Sequence, residues 1–456
     1  MHTDLINKNT KLTEGNILKN LLLFSMPMMA GNFLQQIYNI ADTLIAGRYI
    51  GTDALAAAGA AYTLMTFITS VIIGLCMGSG ALFSKWYGAG NLKEMQQDVQ
   101  LSFYFIGTAT LLIYLVVFPG TDIILHMVSV PDNIYNLMRT YIKIVFIGIG
   151  FTFLYNFFAY LLRSAGNSVV PLYFLAISSV MNIALDLYFV IILKKGISGT
   201  AAATVISQGF AGLGITFYTI WKYPGFTKFH GRLKWSRLKI IIKNDVLTGM
   251  QQSVMNFGIL MIQGLVNSFG TTIMAAFAAA VKIDTLAYMP AQEFGNAYSL
   301  FVSQNYGAKK NGRIQKGTKI ATIMSVIFCL IISVIIWIFA RQFMCMFVDA
   351  KETAIISEGI KYLRIEGTFY FGIGCLFLLY GYFRGIQKSG ISLILTIISL
   401  GTRVMLSYIL APNTPLGVTA IWWSIPIGWI LADITGILIK SHTYYLKPPY
   451  AARRLK

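Results

Sequence analysis

The sequence predicts an all-α polytopic membrane protein with twelve transmembrane helices, arranged as two six-helix lobes related by a parallel internal repeat. Of the 456 residues, 56% are hydrophobic and only 12% are charged, whereas an average soluble domain carries about 25% charged residues. Long apolar blocks recur along the chain, and each has the roughly 20 residues that a helix needs to cross a bilayer. These blocks lack the alternating pattern of barrel strands, so helices are the expected spanning elements.

Twelve apolar blocks follow one another along the chain. Their predicted bounds are 20–47, 54–83, 99–121, 135–162, 170–193, 198–221, 244–269, 272–302, 318–340, 359–383, 389–411 and 417–439. The N-terminal residues do not have the order of basic, apolar and small residues that marks a cleaved signal peptide. The four cysteines lie in or beside these blocks at no metal-ligand spacing, so we expect them to be ordinary apolar residues.

Basic residues predict how the helices are oriented. With the N-terminus inside, most of the 36 Lys and Arg fall on cytoplasmic flanks, and the densest run lies in the 222–243 loop. By the positive-inside rule, both termini face the cytoplasm of a multi-pass protein of the cytoplasmic (inner) membrane. The net charge of +19 is then explained by topology and by attraction to anionic membrane lipids, and no nucleic-acid partner is expected.

The chain contains an ungapped internal repeat. Residues 51–89 align with 270–308 at a constant shift of 219, and a second stretch, which pairs Arg163 with Arg384, aligns at a shift of 221. The repeat unit is six spans, and an even number of spans gives both copies the same orientation. Transporters with such repeats bind substrate near the bilayer midplane and rock one half against the other for alternating access. We assign the N-terminal lobe to 1–221, the inter-lobe loop to 222–243, the C-terminal lobe to 244–440 and a cytoplasmic tail to 441–456.

Polar residues of the N-terminal lobe break this repeat. They are two carboxylates, an amide and a hydroxyl: Asp42, Asn182, Asp186 and Thr204. Their aligned counterparts in the C-terminal lobe are Met261, Arg403, Ser407 and Ile425. Asn182 and Asp186 are four residues apart and so share one helix face. An ionisable residue within a span costs at least about 2.5 kcal/mol at the helix centre, so such residues usually serve a function.

Hard oxygen ligands of this kind suit a small cation such as Na⁺, and without a metal ion the two carboxylates can share a proton instead. The alternative is a structural role, in which each Asp only hydrogen-bonds to a neighbour and stiffens the bundle. The sequence therefore predicts a coupling site for H⁺ or Na⁺ at these four positions.

Several short motifs carry a resemblance to a known family: "SMPMM" with Pro27, "ADTLIAG" with Asp42, "LRSAGNSVVP", "MNIALD", "GISGTAAAT" and "SQNYGA". With its twelve spans and six-plus-six repeat, the sequence resembles the multidrug and toxic compound extrusion (MATE) transporters over essentially its whole length, and their DinF-like branch in particular. The resemblance implies an H⁺ or Na⁺ site on the four polar residues above and a first helix that bends near Pro27. It further implies a drug cavity lined by Gln35, Tyr38 and Asn156.

The C-terminal lobe departs from the NorM-like branch of that family, which has acidic residues in the seventh and tenth spans. Here the tenth span has only Glu366, expected close to its outer end. The seventh span is expected to offer only amides, namely Gln251, Gln252, Asn256, Gln263 and Asn267. No second cation site of the NorM kind is therefore expected.

Charged residues elsewhere in the C-terminal spans form a set of unknown role: Lys282, Asp284, Glu293 and Arg403. Lys282 and Glu293 are eleven residues apart and roughly on one helix face, so they either neutralise each other or serve substrate binding or gating. Arg403 is expected to form a structural ion pair with Asp433, because a lone charge in hydrocarbon is costly.

We therefore expect a cation-coupled antiporter, not an enzyme, that exports amphipathic and mostly cationic organic compounds by alternating access. Its partners are small-molecule drugs and membrane lipids, it needs no cofactor beyond the coupling ion, and it acts as a monomer. The alternative is a lipid-linked oligosaccharide flippase of the same superfamily, which Lys282 and Arg403 would suit. A membrane enzyme is disfavoured because the sequence has no His/Glu metal pair, Ser/Lys dyad or phosphate-binding Gly loop. A channel is disfavoured because the broken repeat supplies no ring of equivalent residues.

Overall fold

The structure is a computed structural model of the chain, and it describes residues 12–128, 130–228 and 234–445. Within these ranges all regular secondary structure is helical. Residues 229–233 of the predicted inter-lobe loop and 446–456 of the predicted tail lie outside the described residues.

Helices of the described chain are numbered here in chain order. They are α1 (Ile17–Tyr49), α2 (Thr52–Gly88), α3 (Leu92–Val117), α4 (Thr121–Met127), α5 (Asp132–Ile147), α6 (Ile149–Ser164), α7 (Val169–Leu187), α8 (Ile197–Lys222), α9 (Pro224–Thr227), α10 (Leu238–Asn267), α11 (Thr271–Gly307), α12 (Asn311–Cys345), α13 (Thr353–Thr368), α14 (Tyr370–Gly385), α15 (Ser389–Asn413) and α16 (Val418–Tyr445). A single π-helical turn, Tyr188–Ile192, extends α7. The Asn16 side chain caps α1 by accepting a 3.1 Å hydrogen bond from the Lys19 N–H, which satisfies one of the free donors at a helix start.

Nine of the helices in the described ranges are long and apolar enough to cross a membrane. Two bent pairs, α5 with α6 and α13 with α14, raise that number to as many as eleven. The predicted seventh span lies in α10, a long helix outside this set that carries the run of amide side chains. The predicted all-helical, multi-span fold class is confirmed.

The fourth and tenth predicted spans are bent pairs of helices rather than single helices. α5 and α6 meet at Gly148 with a bend of 47°, and α13 and α14 meet at Phe369 with a bend of 53°. The tenth span therefore begins at Thr353, earlier than predicted. Glu366 lies just before its break, so the expectation that Glu366 lies near an outer end is wrong.

The internal repeat is visible in the helix bounds. α2 and α11 begin and end 219 residues apart, and the α5–α6 pair matches the α13–α14 pair at a shift of 221. Gly196 and Gly417, also 221 apart, precede α8 and α16 with φ of 58° and 53°. Glycine adopts these angles without steric cost, so the two copies turn at equivalent positions.

The chain divides into two compact units. Unit 1 comprises residues up to Ser253 together with Leu300–Gly317 and Arg384–Gln387, and unit 2 comprises Val254–Ser299, Thr318–Phe383 and residues from Lys388 onward. In unit 1, α1 packs on α7, α7 on α8, and α8 on both α5 and α6. In unit 2, α16 packs on α15 and α13.

Within unit 1, α2 crosses the first half of α10 at close range. A Cβ atom on Gly74 would lie 2.6 Å from the Cα of Gly249, and one on Gly78 would lie 2.7 Å from the Cα of Asp245. The Ser79 hydroxyl donates a 2.6 Å hydrogen bond to the buried Asp245 carboxylate. Asp245 lies within the predicted seventh span, so the expectation of amides alone in that span is wrong. Close packing here requires the absence of side chains on α2.

Candidate functional site

Three helices of unit 1 bring the predicted cation-site residues together. Asp42 lies on α1 and Thr204 on α8, whereas Asn182 and Asp186 lie one turn apart on α7. Asp42 and Thr204 are each 8% exposed, Asn182 is 2% exposed and Asp186 is 0% exposed. A fifth side chain, Tyr141 of α5, reaches the same place. We call these five residues the Asp42 cluster.

Hydrogen bonds within the Asp42 cluster connect its helices. The Tyr141 hydroxyl donates to Oδ2 of Asp42 at 3.0 Å, which joins α5 to α1. The Asn182 Nδ2 donates to the Thr204 Oγ1 at 3.5 Å, which joins α7 to α8. Thr204 in turn donates to the Thr200 carbonyl oxygen at 3.1 Å. These bonds hold the side chains in place but do not satisfy all of their oxygens.

Four buried oxygens of the Asp42 cluster have no hydrogen-bond donor among the described residues. They are Oδ1 of Asp42, Oδ1 of Asn182, and both carboxylate oxygens of Asp186. The Asp42 and Asp186 carboxyl groups lie against each other, yet an ionised carboxylate can only accept a hydrogen bond. Buried polar atoms are nearly always satisfied in folded proteins, so a proton, a cation or an ordered water molecule is needed to partner these oxygens.

The donor set fits a small hard cation. Carboxylate, amide and hydroxyl oxygens are the ligands that such ions prefer, and the cluster presents all three types. A proton shared between the two carboxyl groups satisfies one oxygen of each, since it converts one acceptor into a donor. The arrangement is therefore chemically competent to bind either Na⁺ or H⁺ through Asp42 and Asp186, with Asn182 and Thr204 as neutral ligands for Na⁺.

Tyr141 is the member of the cluster that the sequence analysis missed. A tyrosine in a span is usually a packing or interfacial residue, so its chemistry alone gives no signal. The internal repeat does contain one: at a shift of 221, Tyr141 aligns with Tyr362. A polar residue retained in both copies, where the other polar positions differ, would have indicated a shared role.

Pro27 lies inside α1, fifteen residues before Asp42. Because proline has no N–H, the carbonyl of Leu23 loses its helical donor and the helix is weakened at that turn. α1 nevertheless continues through Pro27 to Tyr49 as one element. Bending at Pro27 stays a prediction, with this missing hydrogen bond as its physical basis.

Two of the three predicted drug-cavity residues lie on the same helix as Asp42. Tyr38 is one turn before Asp42, and its hydroxyl hydrogen-bonds to the Gln35 side chain. Gln35 is exposed, and Tyr38 and Asn156 are half-buried. Asn156, on α6, donates its Nδ2 to the Thr152 carbonyl oxygen at 2.9 Å. A ligand that contacts Gln35 or Tyr38 would therefore touch the helix that carries Asp42.

Charged residues of the C-terminal lobe do not form the single set that the sequence suggested. Asp284 and Arg403 line a cavity of about 70 Å³ inside unit 2, together with Glu366. Lys282 is exposed, because it lies two residues from the inward-facing Asp284 and so points to another side of α11. Glu293 accepts a 3.2 Å hydrogen bond from Asn296 on the same helix.

Among the described residues, neither the ion pair considered for Lys282 nor the one expected between Arg403 and Asp433 is found. Ion pairs among the described residues join Lys282 to no carboxylate and do not link Arg403 to Asp433. The Asp433 carboxylate instead lies beside Gly372 of α14, where a Cβ would be 3.8 Å from its Oδ2. Arg403 faces the cavity that Asp284 and Glu366 line, because α15 is turned so that this side chain points into unit 2.

The sequence of this chain is similar to a known protein family and to individual multidrug resistance proteins. A family model described as MatE matches residues 27–188 and 248–409, two stretches related by the shift of 221. The probable multidrug resistance protein YpnP of Bacillus subtilis is 32% identical over 85% of this chain and 86% of its own length. The probable multidrug resistance protein NorM of Thermotoga maritima is 26% identical over 89% and 88%.

Solved structures show the same fold. One described as the outward-facing conformation of a multidrug resistance MATE family transporter of the MOP superfamily matches with a TM-score of 0.90. The match covers 97% of this chain and 99% of that one at 23% sequence identity. At this identity the likeness concerns the fold alone.

Proposed function

This chain belongs to the MATE family of transporters, and we propose that it exports amphipathic organic cations in exchange for H⁺ or Na⁺ bound at the Asp42 cluster. It is a multi-pass membrane transporter and not an enzyme. The proposal also assigns it to the DinF-like branch, to the cytoplasmic membrane with both termini inside, and to action as a monomer.

The observation that carries the proposal is the group of buried oxygens without donors in the Asp42 cluster. Leaving a single buried polar group unsatisfied costs about 1–3 kcal/mol, and four of them at one point make a stable ion-free resting state expensive. Binding of a sodium ion to these oxygens removes that cost, and binding of a proton between the two carboxyl groups removes part of it. Since α1, α7 and α8 supply the oxygens, occupancy changes how tightly α1 is held to its neighbours.

Coupling follows from the position of the cluster on α1. The ion drives export only if it binds one conformation more tightly than the other. α1 carries Asp42, the weak turn at Pro27, and two residues of the proposed drug cavity, Gln35 and Tyr38. Ion binding from outside draws Asp42 towards the ligands on α7 and α8, alters the packing of α1, and releases the substrate. Ion release to the cytoplasm resets the helix.

Amphipathic organic cations are the substrate class that best suits this lobe. Aromatic faces attract cations, and thioethers adapt to many apolar shapes. Tyr38 and the nearby Tyr62 supply aromatic surface, and Tyr62 also connects Asn39 to Gln36 through hydrogen bonds of 3.3 and 3.5 Å. The relatives named above as multidrug resistance proteins support a broad rather than a single substrate.

A lipid-linked oligosaccharide flippase is not favoured as a second candidate. That function needs a basic cavity for pyrophosphate, and Lys282 and Arg403 were its possible contributors. Lys282 is exposed and Arg403 shares its cavity with two carboxyl groups. The pair therefore supplies no joint basic site.

The test is ion-driven transport of ethidium in sealed proteoliposomes, with a proton gradient and a sodium gradient imposed separately. Asp42→Asn keeps an oxygen that accepts the Tyr141 hydrogen bond but removes the charge, so the protein should fold and gradient-driven flux should vanish. Asp53→Asn is the matched control, since Asp53 is an exposed carboxylate at the start of α2 and its loss should leave flux unchanged. Gradient-driven flux that survives in Asp42→Asn would refute the proposal.

A further inference from the structure

A second group of buried charges lies inside unit 2. Asp284 on α11, Glu366 on α13 and Arg403 on α15 line one cavity of about 70 Å³. The three residues are 5%, 1% and 9% exposed, respectively. Removing a charge from water carries a large free-energy cost unless the charge is compensated, so three charges in one cavity imply mutual compensation or a ligand.

Two of these charges retain unpartnered atoms. Asp284 accepts hydrogen bonds from the hydroxyls of Tyr370 at 2.7 Å and Tyr362 at 3.4 Å. By contrast, Oε1 of Glu366 and Nε of Arg403 have no hydrogen-bond partner among the described residues. The positive charge of Arg403 acts on both carboxyl groups across the cavity. The guanidinium lines the same cavity as both carboxyl groups and supplies one positive charge that compensates part of their negative charge.

The internal repeat shows which residue of the N-terminal lobe corresponds to Arg403. At a shift of 221, Arg403 is the counterpart of Asn182, and Tyr362 is the counterpart of Tyr141. Each of the two tyrosines donates to a carboxylate of its own lobe. The C-terminal lobe thus repeats the tyrosine–carboxylate pair but has a fixed positive charge where the N-terminal lobe has a neutral amide ligand.

The other two positions of the C-terminal copy that correspond to ion ligands have no side-chain oxygen free to bind an ion. Ser407, the counterpart of Asp186, shares a 2.7 Å hydrogen bond with Ser424 of α16, and both serines are buried. Ile425, the counterpart of Thr204, has no oxygen to offer. Two carboxyl groups and one permanent cation are what remains in this lobe.

We infer that Arg403 is a built-in cation, which occupies the electrostatic role of the coupling ion in the C-terminal lobe and prevents a mobile ion from binding there. The inference rests on the proposed ion-coupled export and limits coupling to the N-terminal lobe. A guanidinium cannot be deprotonated in proteins, and it is tethered to α15, so it neither leaves nor exchanges. Arg403 is thus the residue that makes the two lobes differ in ion specificity.

The experiment measures ion-dependent thermal stabilisation of the purified full-length protein, against Na⁺ at constant ionic strength and separately against pH. Wild type should show an ion-dependent rise in melting temperature beyond the pH background of an Asp42→Asn/Asp186→Asn double variant, and Asp42→Asn should show none beyond that background. Adding Arg403→Asn to Asp42→Asn installs the amide that the N-terminal lobe has, and ion-dependent stabilisation should return to about the wild-type shift. That regained shift should disappear again when Glu366→Gln is added.

Two controls separate this role from a general effect of removing charge. Arg403→Lys keeps a tethered cation, so in the Asp42→Asn background it should restore no shift. Arg364→Asn removes an exposed arginine from α13, the helix that carries Glu366, and it should also restore none. A merely structural arginine would lower the melting temperature without creating a new ion dependence.

Two results would overturn the inference. The first is a monodisperse Asp42→Asn/Arg403→Asn protein that shows no ion-dependent shift. The second result does not depend on whether an Arg403 variant folds. In it, Asp42→Asn alone keeps an ion-dependent shift in melting temperature, and adding Glu366→Gln to Asp42→Asn abolishes that shift. A mobile ion would then already bind beside Arg403. If Asp42→Asn keeps the shift and Glu366→Gln has no effect, the proposed N-terminal site fails. The inference about Arg403 is then decided by whether Arg403→Asn adds a shift that Glu366→Gln removes.

Discussion

Tyr141→Phe tests the Asp42 cluster with the smallest possible perturbation. The substitution removes one hydroxyl and leaves the ring of a 6% exposed side chain in place, so packing is nearly unchanged. That hydroxyl donates to Oδ2 of Asp42 at 3.0 Å, and Oδ1 already has no donor among the described residues. In the variant, neither oxygen of Asp42 has one.

The expected magnitude follows from the strength of that hydrogen bond. A hydrogen bond to a charged group contributes about 1.5–3 kcal/mol, and in the ion-free state it stabilises the Asp42 carboxylate. Its loss destabilises the ion-free state relative to the ion-bound state. The apparent affinity for the coupling ion should therefore increase, by at most about 10- to 150-fold, the limit in which the hydrogen bond contributes nothing to the ion-bound state, and turnover should fall because the ion leaves more slowly.

Tyr362→Phe is the matched control, because the repeat places it at the equivalent position and it removes a hydroxyl that donates to Asp284 at 3.4 Å. The assay is ethidium efflux from proteoliposomes as a function of the driving ion, fitted for half-saturation and maximal rate. Tyr362→Phe should leave the half-saturating concentration unchanged. An unchanged value in Tyr141→Phe, or an equal change in both variants, would refute the assignment of Tyr141 to the coupling site.

Two further substitutions probe ion identity and helix packing. Thr204→Val removes a neutral oxygen ligand that Na⁺ would use and H⁺ would not, so Na⁺-driven flux should fall by about tenfold or more while H⁺-driven flux persists. The control variant Thr204→Ser keeps the hydroxyl and should keep the Na⁺-driven flux. Equal losses of flux with both ions in Thr204→Val would contradict the ligand role. Gly78→Val places side-chain atoms against the Asp245 backbone, where a Cβ alone would lie 2.7 Å from Cα, and should destabilise the protein by about 1–3 kcal/mol. Gly59→Val, on the same helix with nothing within 4 Å of its Cβ, should have little effect on the melting temperature, and an equal loss in both variants would argue against close packing at Gly78.

The sequence was informative wherever the cost of burying a group in lipid is large. An ionisable side chain within a membrane span carries a large free-energy cost. Asp42 and Asp186 are therefore functional candidates from the sequence alone, without knowledge of their neighbours. The repeat then showed that the second copy lacks the amide of Asn182, because an ungapped shift of 221 places Arg403 at that position. The structure brings these N-terminal residues into one cluster, although their role as an ion site stays a proposal.

The sequence was less informative about pairing between helices. Arg403 and Asp433 were expected to pair because each needs a partner, but spacing along the chain does not determine which way α15 and α16 are rotated. The break at Phe369 was missed for a similar reason, since a hydrophobic block is equally apolar whether its helix is straight or bent by 53°.

The sequence alone determined the membrane class, the approximate spans, the repeat and the polar residues that depart from it. These depend on hydrophobicity and local spacing, which are properties of the chain itself. The tertiary structure decided that Tyr141 is the donor to Asp42, that Gly78 lies against Asp245, and that Arg403 faces two carboxyl groups rather than Asp433. Such contacts join residues far apart in the chain and depend on how each helix is rotated and packed, so a pattern read along the sequence does not contain them.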